Sequence, residues 1–290
     1  MAEEQVCGGT LYVVATPIGN LEDISLRALR VLRQVALIAA EDTRHSRKLL
    51  AHYGIGTPLT SCYAHNEADK SAALLDRLHQ GAAIALISDA GTPAISDPGA
   101  LLVQHCISAG IPVVPVPGPC AAIAALCAAG LPTGSFCFDG FLPAKSSARR
   151  RQLASYVGLQ RTLVLYEAPH RLCVCLRDIV EQLGELQPVA VARELTKRHE
   201  ELFRGSAVEA LRHFSTQPVR GEIVLLLAPV AITTPRLELA EAVRQLLQQG
   251  LALRQIARQL AADYDCSGSA IYALAQQLRD AQVNDESESR

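Results

Sequence analysis

The sequence has no tryptophan, a single methionine and only 4% aromatic residues over its 290 positions. Hydrophobic residues nevertheless make up 49% and charged residues 19%, which is typical of globular proteins and unlike disordered chains. The core must therefore be built from Leu, Val, Ile and Ala. At roughly 150 residues per domain, the length predicts about two domains. The net charge of −2 excludes nucleic-acid binding through overall charge, so local charge has to carry any such binding.

Signals of several other protein classes are missing. There is no uninterrupted apolar run of about 18 residues and no basic start followed by an apolar stretch, so we expect neither a membrane span nor a signal peptide. The nine cysteines form no CxxC pair, and the eight histidines do not cluster with them. This pattern indicates reduced thiols in a cytoplasmic protein without a metal site. The absent GxGxxG fingerprint disfavours a dinucleotide-dependent oxidoreductase.

Short apolar segments alternate with Gly- and Pro-rich turns and with helical patterns. In the first half of the chain these segments predict buried strands at 11–15, 35–40, 82–88 and 111–116. Asp23 and Asp97 are predicted helix N-caps, the latter because Pro98 follows it. Alternation of strand, turn and helix predicts an open α/β sheet with its ligand site at the carboxyl ends of the strands.

The pattern starts again after Gly130 and predicts a second α/β domain. Strands are predicted at 136–141, 161–167, 189–195, 201–204 and 221–228, and helices at 149–159 and 171–183.

These patterns divide the chain into four parts. The α/β domains are placed at 9–121 and 122–230. Three short helices within 236–280 have the spacing of a helix-turn-helix, and their net charge of zero leaves open both a nucleic-acid-binding role and a packing or dimerisation role. The polar tail, 281–290, is expected to be disordered.

Four turns that follow predicted strands carry residues suited to a ligand. Segment 16–21 enters a helix, where backbone N–H groups favour an anion. In segment 88–99, Asp89 can accept hydrogen bonds from an ammonium group or a ribose hydroxyl. Segment 116–122 is either a slot for a flat ring or a structural turn. Segment 165–171 brings Glu167, His170 and Arg171 to one strand end, which indicates a functional site.

Positive charge is concentrated in two stretches. Segment 144–177 carries seven basic residues against one Glu, and segment 27–50 carries six against two acidic residues. In a protein of negative net charge, such concentration predicts binding of a polyanion, and salt-dependent RNA binding is its natural form. Segment 193–201 is also dense in charge and is interpreted, on local grounds, as a solvated turn.

Five motifs occur in a fixed order: TPIGNLEDI, EDTRHSRKLL, SDAGTPAISDPG, VPGPCAAIAAL and YEAPHRL. Together with FLPAK, ELTKRHEE and RGEIVLLL, they resemble the tetrapyrrole-methylase superfamily of S-adenosylmethionine-dependent enzymes over about residues 9–229. SDAGTP and YEAPHR make the resemblance specific. It implies a two-domain α/β fold with the methyl donor between the domains, a homodimer and a helix-turn-helix-like appendage.

More narrowly, the motifs resemble members that methylate the 2′-oxygen of a cytidine in 16S ribosomal RNA, so the small ribosomal subunit is the expected partner. Matching motif positions imply these donor-binding residues: Thr16, Pro17, Gly19, Asn20, Ser88, Asp89, Ala90, Gly91, Thr92, Cys120, Ala121, Tyr166 and Glu167. Cys120 stands where serine is usual. If a hydroxyl there binds the donor, affinity is in doubt; if only small size matters, cysteine serves equally.

The expected reaction is a direct displacement governed by positioning. Glu167 and His170 are candidates for the general base, and Lys197 for stabilising developing charge, with no choice among them from sequence. The residues expected to hold rRNA phosphates are Arg44, Arg149, Arg150, Arg151 and Arg171.

Three alternatives stay open. A tetrapyrrole C-methyltransferase or a diphthine synthase shares the donor site but leaves the basic stretch 144–177 unexplained. A non-enzymatic RNA-binding protein predicts no donor binding.

Overall fold

The first sheet is formed by five short parallel strands. The structure, a computed structural model, describes residues 5–63, 67–230, 239–264 and 266–288. The strands are β1 (Leu11–Val14), β2 (Leu37–Ala40), β3 (Leu59–Ser61), β4 (Ile84–Ile87) and β5 (Val113–Val116). They are ordered β3-β2-β4-β1-β5. Strands β2 and β4 are buried along their whole length, as expected for parallel strands covered on both faces.

Helices cover both faces of this sheet and complete the first lobe. They are α1 (Leu26–Gln34), α2 (Thr43–His52), α3 (Glu67–His79) and α4 (Ala100–Ser108). One apolar cluster includes Val31 and Leu32 of α1, and the opposite cluster includes Leu78 of α3 and Leu102 of α4. The four predicted strands are confirmed, while β3 and α3 were not anticipated.

The second sheet is mostly antiparallel. Its strands are β6 (Phe136–Phe141), β7 (Thr162–Glu167), β8 (Pro188–Arg193), β9 (Glu201–Ser206) and β10 (Ile223–Leu227). The order is β6-β7-β10-β8-β9, and only β6 and β7 run parallel. All five strands had been predicted from their apolar patterns.

Four helices pack on the second sheet and complete the second lobe. They are α5 (Ala121–Ala128), α6 (Ser146–Ser155), α7 (Leu172–Leu183) and α8 (Ala207–Phe214), of which α8 was not anticipated. Helices α6 to α8 share one apolar cluster, and α5 packs on the opposite face. The passage from the first sheet to the second therefore lies between β5 and β6, and the domain boundary at 121/122 stays a prediction.

Both predicted aspartate caps are wrong. Asp23 lies in a short 3₁₀ turn, and α1 is capped by Ser25, whose hydroxyl accepts from the Ala28 N–H at 3.0 Å. Helix α4 begins after Gly99, which has a φ of 121° and provides no side-chain cap. The carboxylate of Glu67 caps α4 from another helix.

The Glu67 cap is a convergence of three donors. Its Oε1 accepts from the backbone N–H groups of Gly99, Leu101 and Leu102 at 3.1, 2.9 and 3.1 Å. Glu67 is buried and lies at the start of α3. This long-range contact releases Asp97 from any capping role.

A second compact unit, separate from residues 1–231, begins at residue 232. Its helices are α9 (Leu239–Gln248), α10 (Leu253–Asp263) and α11 (Gly268–Glu288). They enclose an apolar cluster that includes Val243, Ile256 and Ile271. Helix α11 continues through 281–288, and the disorder of the tail stays a prediction. Residues 236–238 and 289–290 of the predicted parts lie outside the described residues. Within the described ranges, no helix is long and apolar enough to cross a membrane.

Candidate functional site

A cavity of about 370 Å³ lies between the two lobes of the first unit. Such a volume is within the usual range for small-ligand sites, roughly 300–1,000 Å³. Loops after β2, β4 and β5 line it from the first lobe, and the end of β7 and the start of β10 line it from the second. Because β10 runs antiparallel to β7, its first residues reach the same edge. The cavity is therefore at the strand edge that the sequence predicted.

Eight of the expected donor-binding residues line this cavity. They are Asp89, Ala90, Gly91, Thr92, Cys120, Ala121, Tyr166 and Glu167. The loops that carry them are tied together, because the Thr92 hydroxyl donates to the Pro119 carbonyl at 3.0 Å. Gly91 has a φ of 82°, and a Cβ there would lie 3.3 Å from Cγ2 of Ile18. A larger residue would narrow the cavity at this point.

Five other expected residues lie outside the cavity lining: Thr16, Pro17, Gly19, Asn20 and Ser88. Thr16 is buried and supports the lining from behind. Its N–H donates to the Gly91 carbonyl at 2.9 Å, it accepts from the Gly91 N–H at 3.0 Å, and its hydroxyl donates to the Ser88 carbonyl at 3.2 Å. Thr16 therefore fixes the position of Gly91.

Gly19 and Asn20 contact the second lobe. The Asn20 N–H donates to the Thr196 hydroxyl at 3.0 Å, and a Cβ on Gly19 would collide with the Lys197 side chain. Glu194 and Thr196 both have positive φ values, 53° and 66°. Segment 193–201 is therefore an ordered contact between the lobes, which corrects its interpretation as a solvated turn.

Lys197 lies outside the cavity lining and is held by two carboxylates. Its Nζ lies 2.7 Å from Oε1 of Glu194 and 3.0 Å from Oε2 of Glu222. Glu222 lines the cavity. Lys197 thus contacts the cavity lining through Glu222, and its expected role in stabilising developing charge stays a prediction.

Glu167 ends β7 inside the cavity. Its side chain is 1% exposed; Oε1 accepts from the Ala168 N–H at 2.8 Å and lies 3.2 Å from Nε of Arg171. Among the described residues, Oε2 has no hydrogen-bond partner. Beneath it, burial and then the charge of Glu167 raise the pKa of the Cys175 thiol. Glu167 is therefore a carboxylate held in place at the end of β7, with its Oε2 buried within the protein.

His170 and Arg171 follow in a 3₁₀ turn. His170 is exposed and does not line the cavity. The Arg171 guanidinium donates to the Leu142 carbonyl at 2.6 Å and to the Pro143 carbonyl at 3.2 Å. Arg171 is thus in contact with Glu167 and with two backbone carbonyls, and its expected role in holding RNA phosphate stays a prediction.

Five carboxylates and no basic side chain are found among the described residues that line the cavity. The carboxylates belong to Glu41, Asp89, Asp97, Glu167 and Glu222. Burial, and then the charges of Glu41 and Asp89, raise the pKa of Asp97 to about 6, with the Ser88 hydroxyl partly opposing the rise. Burial also raises the pKa of Glu41.

This lining favours a cation. S-adenosylmethionine has a sulfonium and an ammonium group against one carboxylate, so its charge matches the cavity, whereas a nucleotide phosphate would be repelled. Segment 16–21 contributes only Ile18 to the described cavity lining, so its expected binding of an anion stays a prediction. Within the described ranges, no group of three or more His, Cys, Asp or Glu residues could hold a metal ion.

The arginines expected to bind RNA fall into two groups. Arg149 is buried, with Nε 2.7 Å and Nη2 2.6 Å from Oδ2 of Asp178, and it donates to two backbone carbonyls. It is a structural residue, which corrects the expectation. Arg44 and Arg150 are exposed but paired, with Asp42 and with Asp178 and Glu181 respectively. Arg151 is exposed.

The sequence analysis did not assign several residues of the cavity lining to the site, among them Glu41, Ile95, Phe141 and Glu222. Glu41 follows the buried strand β2 as Asp89 follows β4, so the rule of strand ends could have found it. Ile95 and Phe141 are large apolar residues that remain 40% and 52% exposed. Their position depends on how the two lobes meet, which no local pattern records.

Comparison with known proteins gives one family and one fold. The model of a family described as Tetrapyrrole (Corrin/Porphyrin) Methylases matches residues 10–211. Ribosomal RNA small subunit methyltransferase I of Haemophilus influenzae is 47% identical, covering 91% of this chain and 95% of that protein. The protein of the same name from Escherichia coli O157:H7 is 50% identical (92% and 94% covered), and that from Pseudomonas aeruginosa is 54% identical (76% and 79% covered).

Solved structures share the fold at lower identity. Uroporphyrin-III C-methyltransferase from Thermus thermophilus has a TM-score of 0.55 at 24% identity, covering 77% of this chain and 95% of that one. A structure of that enzyme complexed with S-adenyl homocysteine has a TM-score of 0.54 at 18% identity (76% and 98% covered). A diphthine synthase has a TM-score of 0.56 at 12% identity (76% and 90% covered).

Proposed function

We propose, because this chain belongs to the tetrapyrrole (corrin/porphyrin) methylases, that it uses S-adenosylmethionine to methylate the 2′-oxygen of a cytidine ribose in 16S ribosomal RNA. The observation that carries the proposal is the acidic cavity between the lobes, lined by the loops of the SDAGTP and YEAPHR motifs. The substrate in this proposal is taken from the name of the relatives. These are 45–54% identical and are called ribosomal RNA small subunit methyltransferase I.

The cavity suits the methyl donor through charge and size. When bound, S-adenosylmethionine supplies an electrophilic methyl group on a sulfonium sulfur. Ala90 and Gly91 leave the backbone accessible, and Asp89 offers an acceptor to an ammonium or hydroxyl group. The Glu167 carboxylate is held at the end of β7, beside the cavity. These residues bind and orient, which is the main requirement of a direct displacement.

Glu167 and Lys197 fit roles other than catalysis, and the third expected candidate, His170, lies away from the cavity lining. Glu167 is held by Arg171 and by the Ala168 N–H, so it suits donor binding more than proton exchange. His170 is exposed outside the cavity lining. Lys197 orients Glu222 at the cavity.

RNA phosphates are held in this proposal by exposed arginines outside the cavity, chiefly Arg44, Arg150 and Arg151. None of these three arginines lines the acidic cavity, so in this proposal the polyanion and the cationic donor contact different side chains. We also propose that the protein acts as a cytoplasmic homodimer on the small ribosomal subunit.

The runner-up is a tetrapyrrole C-methyltransferase, favoured by the fold of the solved neighbours. Structures below 25% identity share only the fold, whereas the rRNA methyltransferases match most of the chain at about twice that identity. A non-enzymatic RNA-binding role leaves the acidic cavity unexplained.

Ribose-methylation mapping of 16S rRNA tests the proposal. We expect one cytidine 2′-O-methyl mark to disappear in a strain lacking this protein, and the purified protein with S-adenosylmethionine to restore it. Calorimetry should show donor binding by the protein alone. Retention of every 2′-O-methyl mark in the deletion strain would contradict the proposed function.

A further inference from the structure

We propose that Asp97 is the residue that accepts the proton of the ribose 2′-hydroxyl during methyl transfer. The inference rests on the proposed function and assigns a catalytic role to a residue that the motif comparison did not single out. Asp97 lies in the loop after β4 and lines the cavity with Glu41 and Asp89 of the first lobe and Tyr166 and Glu222 of the second.

A comparison of the five cavity carboxylates singles out Asp97. The other four are committed: Asp89 Oδ1 accepts from the Asp42 N–H at 3.0 Å, Glu41 from the Asp89 N–H at 3.4 Å, and Glu167 from the Ala168 N–H at 2.8 Å. Glu222 is paired with Lys197 at 3.0 Å.

Asp97 has neither kind of partner. Across the described residues, it accepts no backbone N–H and forms no ion pair with a basic side chain. Asp97 also does not cap α4, the role expected from the sequence, because the Glu67 carboxylate caps that helix. A carboxylate that is half-buried in a ligand cavity and has no structural work is available for proton transfer.

The surroundings of Asp97 tune it for this work. The charges that face it are those of Glu41 and Asp89 from the first lobe and of Glu222, just before β10, with the Ser88 hydroxyl as the neutral polar neighbour. Burial and these charges raise the pKa of Asp97 to about 6. General bases work best when their pKa lies near the working pH, and an ordinary aspartate at roughly 3.9 is too weak. The neighbouring carboxylates of the cavity thus make Asp97 a stronger base than an ordinary aspartate.

The step balances without another reactant. The ribose 2′-oxygen forms its bond to the methyl carbon while the carbon–sulfur bond breaks and its electrons stay on sulfur. The hydroxyl proton passes to a carboxylate oxygen of Asp97 and later leaves to solvent.

Single-turnover rates and donor affinity of Asp97→Asn test the assignment. We expect the rate of 16S rRNA methylation to fall about 100-fold or more, while calorimetry shows unchanged S-adenosylmethionine affinity. In the wild type the rate should rise with pH through about 6, as the carboxyl loses its proton. This rise of the rate between acidic and neutral pH, the acidic limb of the pH–rate profile, should be absent from the Asp97→Asn variant. Asp97→Glu, which keeps a carboxylate, should retain part of the rate and the limb.

Two further arms keep the result specific. Asp76→Asn, an exposed aspartate on α3, is the matched control and should change neither rate nor pH profile. Carboxyl-carbon NMR of the protein without donor should show one signal titrating near pH 6 that is missing in Asp97→Asn.

Four results would overturn the proposal: an unchanged rate in Asp97→Asn, a loss of donor affinity that accounts for the rate, no titrating signal near pH 6, or a limb removed by Glu41→Gln and kept by Asp97→Asn. Each leaves the proposed function standing. A wild-type protein that transfers no methyl group to rRNA overturns the proposed function itself, and the NMR titration still reports on Asp97.

Discussion

Asp178 binds two arginines at once and shows why a run of basic residues need not be a basic surface. Its side chain is 1% exposed and contacts Arg149 through Oδ2 and Arg150 through Oδ1. The basic stretch counted from the sequence ended at residue 177, one position before this carboxylate. A charge count along the chain treats every residue as exposed, whereas folding placed Arg149 in the interior.

Replacing Asp178 by Asn should destabilise the first unit by about 3–5 kcal/mol, because it leaves the buried Arg149 charge uncompensated. Burial opposes ionisation of Asp178, but hydrogen bonds from Arg150 and Arg149 lower its pKa overall. A carboxylate whose folded pKa is lowered stabilises above its unfolded pKa and loses that contribution as pH falls. Urea unfolding should therefore show the difference from wild type narrowing below about pH 4. Asp76→Asn should have little effect, and an equal cost in both variants would refute the role of Asp178.

Cys120 raises a different question at the same scale: whether a hydroxyl or a small side chain is needed. It stands at the N-cap of α5 with extended backbone angles and makes no side-chain cap bond. It also lines the cavity. We expect size to decide, because the neighbouring lining residues are Ala121 and the small residues of the β4 loop.

The variants Cys120→Ser and Cys120→Val separate these possibilities. Serine should keep donor affinity and raise the free energy of unfolding by about 0.5–1 kcal/mol through a new cap. Valine adds bulk to the cavity wall and should weaken S-adenosylmethionine binding, measured by calorimetry. Equal donor affinity in both variants would show that Cys120 does not limit the cavity.

At the scale of elements, patterns of apolar residues predicted strands well and caps poorly. Every predicted strand of the two sheets is present, because a buried strand needs a local run of apolar residues. Helix α4 was expected to begin at Asp97, since Asp followed by Pro is a local start signal. The donor groups of α4 are satisfied by Glu67, 32 residues before Gly99.

Prediction of the cavity was also limited to local signals. Strand-end residues such as Asp89 were found. Phe141 and Glu222 were not, because they reach the cavity only when the lobes pack together.

Glu67→Ala tests the long-range cap. Loss of three hydrogen bonds to a carboxylate at a buried helix start should cost about 2–4 kcal/mol in free energy of unfolding. The readout is urea unfolding, with hydrogen exchange at Leu101 and Leu102 to locate the loss. Glu185→Ala, an exposed glutamate beyond α7, serves as control. Exchange that speeds up equally throughout the lobe would argue against a local cap.

At the scale of the whole molecule, acidic and basic side chains are found in different places. Carboxylates line the cavity, and the exposed arginines proposed to hold RNA lie outside it. The net charge of −2 gives no hint of this separation. It leads to a prediction about salt.

Reversing Arg44 and Arg151 to Glu should weaken binding of 16S rRNA and reduce the slope of log affinity against log salt concentration, because fewer counterions are released. Donor affinity, measured by calorimetry, should be unaffected. Arg77→Glu, an exposed arginine of α3 outside both basic stretches, provides the control. An unchanged salt slope in the double variant would remove these arginines from the RNA contact.

The ring of carboxylates also bears on what happens after catalysis. Methyl transfer turns the sulfonium into an uncharged thioether, so the spent donor has lost the charge for which the acidic walls are built. The same side chains that draw the fresh molecule in therefore hold its remnant less firmly. In the proposed function, this loss of charge favours exchange of the spent donor for a fresh one, and with it the next round of turnover.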